Sequence, residues 1–269
     1  MDHKIANQPK IALLASGQVG KEIAQFLAGS SSPGHVSALY LTGQSPKFDN
    51  EIRGAIELED ESVFYGKSPF SDAHHMAWVS SQSFDFVISV YWPWILEPKF
   101  CELFVESINF HPALLPVNRG WYPHVHSLLD GSAMGVTLHK ISANVDGGDV
   151  WAQKEVAILE TDTAGDIYGR LQKKMVELFA ATWSDVSSGA IVAVAQDESK
   201  ANYHSKGEIL QLDKLDLNQQ VRVSDVVRLL KARTFGKFGF AHFIDSEGQK
   251  VFLHLRLGTD SDFSIDHGP

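Results

Sequence analysis

Three short apolar runs constrain this chain more than any other feature: KIALLAS (10–16), HVSALYL (35–41) and FDFVISV (84–90). Each is of strand length, and the third is apolar enough to be buried on both faces. After the first run, turn chemistry at Gly17 leads into VGKEIAQFLAG, where Val19, Ile23, Phe26 and Leu27 share one helical face and Gly29 stops the helix. A further strand is expected at ESINF (106–110). Strands that alternate with helices predict a parallel α/β sheet with right-handed crossovers. Ligands of such sheets bind beyond the carboxyl ends of the strands. The segments Tyr91-Trp92-Pro93-Trp94 and Asn109-Phe110-His111-Pro112 both fall there.

Beyond Asn109 the chain changes style. MGVTLHKI (134–141) and VWAQKEVAI (150–158) read as two strands joined by SANVDGGD. Residues 163–184 predict a long helix, with Ile167, Leu171, Met175 and Phe179 four apart on one stripe. Residues 202–217 are polar and irregular and read as a link. Ser224 is expected to cap a helix over DVVRLLKA, followed by a hairpin of FGFAHFID and KVFLHLRLG around Asp245-Ser246-Glu247-Gly248. The last residues, TDSDFSIDHGP, are acidic and expected to be loose. The expected organisation is a core domain over 1–203 and a small C-terminal module over 204–269.

The chemistry concentrates between Ser107 and Val150. Asn109 and His111 lie two apart at a strand's end, and the lone carboxylate Asp149 follows a Gly-Gly pair. An amide that donates to an oxyanion, an imidazole that holds or passes a proton and a carboxylate that orients it suit acyl-type transfer through a tetrahedral intermediate. Taken one by one, the same residues read as a turn amide, a loop histidine and a turn cap. Pro112 and Pro116 stiffen the segment around them. VYWPWILEP (90–98) offers apolar walls for a planar heteroaromatic ligand, and NRGWYPHVH (118–126) a second wall. There Arg119 suits a phosphate or carboxylate, and Trp121 or Tyr122 a ring or sugar.

Other chemistries are weakly supported. The SGQVG turn lacks the third glycine of a dinucleotide loop and reads as a tight strand-to-helix turn. Twelve histidines raise a metal-dependent hydrolase built on His111, His124 and His126, near His139, but no paired cysteines and no H-E-x-x-H accompany them. A formal charge of -10 disfavours broad nucleic-acid binding. One cysteine, Cys101, excludes an internal disulfide framework and fits a reducing cytoplasm. No apolar run is long enough for a membrane span, and MDHKIANQPK is expected not to be a signal peptide.

At these residues the chain resembles the formyltransferase family that uses 10-formyltetrahydrofolate. The family's N-x-H stands here as Asn109-Phe110-His111, its L-L-P as Leu114-Leu115-Pro116, its G-V-T as Gly135-Val136-Thr137 and its G-D as Gly148-Asp149. The resemblance implies a Rossmann-like core, catalysis by Asn109, His111 and Asp149, and no metal. It places the folate between the loops 91–96 and 141–148, on Tyr91, Trp92, Pro93, Leu96, Ile141, Asn144, Val145 and Asp146. Asn118, Arg119, Gly120, Trp121, His124 and Tyr203 are the residues it implies for the acceptor.

The N-R-G-W-Y-P-H segment is similar to enzymes that formylate amino sugars on nucleoside diphosphates, of the dTDP-4-amino-4,6-dideoxyglucose type. The alternatives within the family are formylation of Met-tRNA and hydrolysis of formyltetrahydrofolate; a non-catalytic ligand sensor is a further one. The tail resembles a shortened form of the family's C-terminal β module. Residues 205–256 carry nine Lys/Arg against six Asp/Glu, a net of +3, which suits a diphosphate or a subunit contact better than a tRNA surface. A homodimer through that tail is expected.

Overall fold

Lys10–Ala15 (β1) is apolar at every position after Lys10 because both of its faces are covered. In the computed structural model, which describes residues 8–260 and 262, Ile11, Leu13 and Ala15 face one layer of the core and Ala12 and Leu14 the other. Side chains alternate along a strand, so one run of apolar residues serves two layers.

The chain then follows the expected alternation. Gly17–Ala28 (α1) leads to His35–Leu41 (β2), Pro46–Ala55 (α2) to Val63–Tyr65 (β3), and Ala73–Gln82 (α3) to Phe86–Val90 (β4). Pro98–Cys101 (α4) precedes Glu106–His111 (β5). Next come Arg119–Gly120 (β6), Pro123–Asp130 (α5), Gly135–His139 (β7), Val150–Glu155 (β8) and Ala164–Ser187 (α6). The main sheet has seven strands in the order β3-β2-β1-β4-β5-β7-β8.

From β3 to β5 all neighbours run parallel, whereas β7 and β8 pair antiparallel. The expected all-parallel sheet therefore holds for five strands only. The chain leaves β5 into a long excursion and returns beside it in the opposite direction. Strand order reverses at β1/β4, which opens a crevice at the carboxyl ends of the parallel strands.

The predicted stripe of the long helix is buried as expected: Ile167, Leu171, Met175 and Phe179 are all fully inaccessible. A capping box between Thr163 and Asp166 starts that helix. The opposite layer is aromatic, with Tyr40, Phe70, Phe84, Phe100 and Phe104 packed together. Among the described residues, no helix is long and apolar enough to cross a membrane.

The expected link contains Tyr203–His204 (β9), which pairs with β6, and Glu208–Leu212 (α7). Val223–Ala232 (α8) begins one residue before Ser224, so Ser224 lies inside the helix and Arg222 occupies the cap position. Arg222 instead pairs with Asp225 in the first turn. A small hairpin of Thr234–Phe235 (β10) and Phe238–Gly239 (β11) precedes the predicted one, His242–Ile244 (β12) with Lys250–Phe252 (β13). The module packs α8 on α5, and Lys231 Nζ donates to the Glu160 carbonyl. Most of the segment judged not to be a signal peptide, and most of the tail expected to be loose, lie outside the described residues.

Candidate active site

Pairing register builds the site. Asn109 and His111 are two apart on β5, so their side chains leave the same face. Asn109 stands opposite His139 of β7. This brings the carboxamide Nδ2 to 3.2 Å from His139 Nε2, while His139 Nδ1 donates to the Lys140 carbonyl at 2.7 Å. That second bond fixes the tautomer and leaves Nε2 to accept from Asn109. His139 is 2% exposed and was not among the residues expected to act.

The carboxylate of the site is Asp146, not Asp149. Its Oδ2 lies 3.4 Å from His111 Nδ1 and accepts the Gly120 N–H at 2.9 Å. Its Oδ1 lies 3.5 Å from both His139 Nε2 and Asn109 Nδ2. Asp149 is exposed, does not line the cleft, and offers its backbone carbonyl to the Lys140 N–H at 2.8 Å. The physical reason lies in the turn between β7 and β8. Asp146 adopts the left-handed conformation (φ 52°), which asparagine and aspartate tolerate better than most residues, and this turns its side chain inward. The two glycines allow close passage: a Cβ on Gly148 would sit 1.9 Å from the Lys140 carbonyl oxygen. Counting from Gly-Gly thus points to the turn but not to the carboxylate before it.

His111 has both ring nitrogens facing acceptors, since Nε2 lies 2.8 Å from the Asn118 carbonyl oxygen. Burial holds its pKa below the ordinary imidazole value, opposed by the Asp146 charge and the Asn118 carbonyl. For Asp146, burial acts upward, but His111, His139 and the Gly120 N–H outweigh it and hold the carboxyl ionised well below the usual range. Gln196 anchors the turn, donating from Nε2 to the carbonyls of Asp146 and Gly148 at 2.8 and 2.6 Å.

A cleft of about 900 Å³ opens over this cluster. Tyr91, Trp92, Pro93 and Leu96 line it on one side and Ile141, Asn144 and Val145 on the other, the two loops expected from the sequence. Tyr91 is held in the left-handed conformation (φ 51°), and its carbonyl accepts the Ser16 hydroxyl at 2.6 Å. These walls give a slot of apolar side chains and backbone polar groups, which fits a planar heterocycle. Gly120, Trp121 and His124 also line the cleft. His124 packs beside Tyr168, and burial, with His126 and Arg233 near it, pushes its pKa down to about 4. The far wall comes from residues not expected, Lys206, Arg233, Phe235 and Phe240 of the C-terminal module.

Three nominated acceptor residues stand elsewhere. Asn118 is buried, with its amide on Ser127 and Ser132 and its Oδ1 on Asn202 and His204. Arg119 is spent on Glu198 and Gln196, with Nη2 2.7 Å from each. Tyr203 is half exposed on β9 outside the cleft and packs under Gly120, where a Cβ would meet its ring at 2.7 Å. These three brace the loop rather than face the cavity. The histidine set suggested for a hydrolase does not converge. Among the described residues the grouping with metal-ligand proximity is His126, His204 and Glu208. There the two rings stack in parallel at 3.5 Å, and His204 is engaged by Glu208 and Asn118.

Comparison with known proteins identifies the family. The formyl transferase family pattern matches residues 10–182, and the chain belongs to that family. Residues 208–259 match the N-formyltransferase dimerization C-terminal domain. The dTDP-4-amino-4,6-dideoxyglucose formyltransferase of Mycobacterium tuberculosis is 36% identical over 153 residues, 57% of this chain. The match spans 65% of that relative's length, slightly under two thirds. A 4-N formyltransferase from Francisella tularensis superimposes with a TM-score of 0.80 at 24% identity, over 94% of this chain and 100% of that one. A formyltransferase from Anoxybacillus kamchatkensis, in complex with UDP-4,6-dideoxy-4-formamido-L-AltNAc and tetrahydrofolate, gives 0.54 at 25% identity, over 83% and 98% of the two chains.

Proposed function

We propose that this chain moves the formyl group of 10-formyltetrahydrofolate onto the amine of a nucleotide-linked amino sugar, of the dTDP-4-amino-4,6-dideoxyglucose type. The observation that carries the reading is the convergence of Asn109, His111 and Asp146 at one end of an apolar slot with an aromatic, partly basic opposite wall. The nature of the 36% identical relative and the ligands of the Anoxybacillus enzyme support it.

The acceptor nitrogen attacks the formyl carbon, forming one C–N bond, and the bond from that carbon to the folate nitrogen breaks. Oxygen charge that develops meanwhile is met by the second Asn109 N–H, which exchanges its long 3.5 Å contact with Asp146 Oδ1 for the substrate oxygen. His139 is a positioning residue, since its Nε2 fixes the carboxamide plane. The proton leaving the attacking amine enters the His111–Asp146 pair and is returned to the departing nitrogen. Both His111 nitrogens are occupied, so oxyanion support rests on Asn109 and proton traffic on the pair. Tyr91 to Leu96 and Ile141 to Val145 hold the folate, and no metal enters the scheme.

The catalytic part is taken as 1–203 and the module as 204–269, supported by the matches at 10–182 and 208–259. We place the enzyme in the cytoplasm, as a homodimer joined through the module. Phe238, Ile244 and Phe252 are large apolar side chains exposed there. The direct test incubates a panel of amino-sugar nucleotides with formyl-folate and reads their masses. Gain of one carbonyl unit on a sugar supports the proposal; gain on Met-tRNA alone, or formate release alone, overturns the acceptor assignment.

A further inference from the structure

The nucleotide end of the acceptor needs a cation, and the sequence nominated Arg119 for it. The structure removes Arg119, whose guanidinium is saturated by Glu198 and Gln196 outside the cleft. Among the described residues, the lysines and arginines that line the cleft are Lys206 and Arg233. Arg233 is buried, forms a two-pronged ion pair with Asp213, and lies 4.9 Å from the Phe240 ring centroid. Its charge is neutralised by that pair.

Lys206 differs. It is exposed, its ammonium lies 4.7 Å over the Trp121 ring, and no carboxylate lies within 4.0 Å of it among the described residues. Trp121 and Tyr122 stand next to it, 41% and 37% exposed, with Tyr122 in the left-handed conformation (φ 55°). Two large rings kept open to solvent at the rim of a cleft, beside an uncompensated ammonium, match a planar base joined to a diphosphate. The chain's formal charge of -10 makes that local cation the more necessary, since the general field repels phosphate.

We propose that Lys206 and Trp121 form the nucleotide anchor of the acceptor. Lys206 takes the diphosphate and Trp121 carries the base. The anchor joins the segment that follows β9 to the catalytic core, so acceptor recognition straddles both parts of the chain. This rests on the acceptor reading above.

The test is calorimetric titration of the full chain with dTDP, thymidine and, separately, folinic acid. Wild type is expected to bind dTDP well and thymidine weakly. Lys206→Ala is expected to weaken dTDP binding by about 10- to 100-fold, the effect of losing a charge-assisted contact. Lys206→Arg is expected to retain most of the affinity, and Trp121→Ala to weaken thymidine and dTDP alike. Unchanged folinate binding in each variant reports an intact fold. The proposal fails if Lys206→Ala binds dTDP like wild type, or if wild type binds folinate but not dTDP. In either case the formyl-transfer reading survives. Absence of both ligands from wild type overturns the two readings together.

Discussion

At the scale of single residues, the decisive contrast is between Asp146 and Asp149, three positions apart. Asp146→Asn is expected to lower kcat by about three orders of magnitude, because the His111 pair loses its charge and its proton acceptor. Asp149→Asn is expected to leave kcat within about twofold, like other exposed substitutions. Asn109→Ala is expected to cost about 10²–10³ in kcat, the usual effect of removing one oxyanion donor. Steady-state rates on the three variants decide the matter, and equal losses at 146 and 149 would contradict the assignment. His124 supplies a pH prediction. Its folded pKa of about 4 lies below the unfolded value of 6.5, so the unfolded chain binds more protons between them. Stability therefore falls as pH drops through that window, by about 2 kcal/mol from this residue between pH 7 and pH 5. Urea melts at the two pH values are expected to show the loss, and His124→Asn to reduce it.

At the scale of elements, the turn between β7 and β8 presents the carboxylate to the cleft beside the two side chains of β5. It is held by backbone passage at Gly148 and by the two bonds from Gln196. Gln196→Leu removes both and leaves two carbonyls without that donor. It also takes one of two partners from Arg119, whose Nη2 bonds to Gln196 Oε1 at 2.7 Å and which keeps Glu198. Turnover is expected to drop about tenfold, with the folate KM rising, since the same turn carries Asn144 and Val145 of the folate wall. A change in kcat with no change in folate KM would separate the turn from folate binding. The elements were largely legible. Strands at 10–15, 35–41, 86–90 and 106–111 and the helix at 164–187 fall on the apolar runs and stripe that announced them. Ser224 was misplaced because a serine before an apolar run resembles a cap, while the helix starts a residue earlier.

At the scale of the whole molecule, the C-terminal module closes one wall of the cleft on its inner side and presents apolar side chains outward. Phe238 and Phe252 are 57% and 58% exposed, and Ile244 is 41% exposed. Covering such rings between two copies removes apolar surface from water. Light scattering coupled to gel filtration is expected to give a dimer for the full chain. Phe238→Asp with Phe252→Asp is expected to give a monomer with folinate binding retained, whereas a monomeric wild type would contradict the dimer proposal.

The order of residues alone determined the layers of the core and the common face of Asn109 and His111. Hydrophobic period and strand alternation are local properties, and two side chains two apart on one strand share a face wherever that strand goes. Only the tertiary structure decided which carboxylate and which cation line the cleft. Asp146 and Lys206 reach the cleft through a left-handed turn and a returning segment, while Asp149 and Arg119, equally charged, are carried away from it. Charge is written in the sequence, but its direction is set by backbone geometry and by the partners that long-range packing brings within reach.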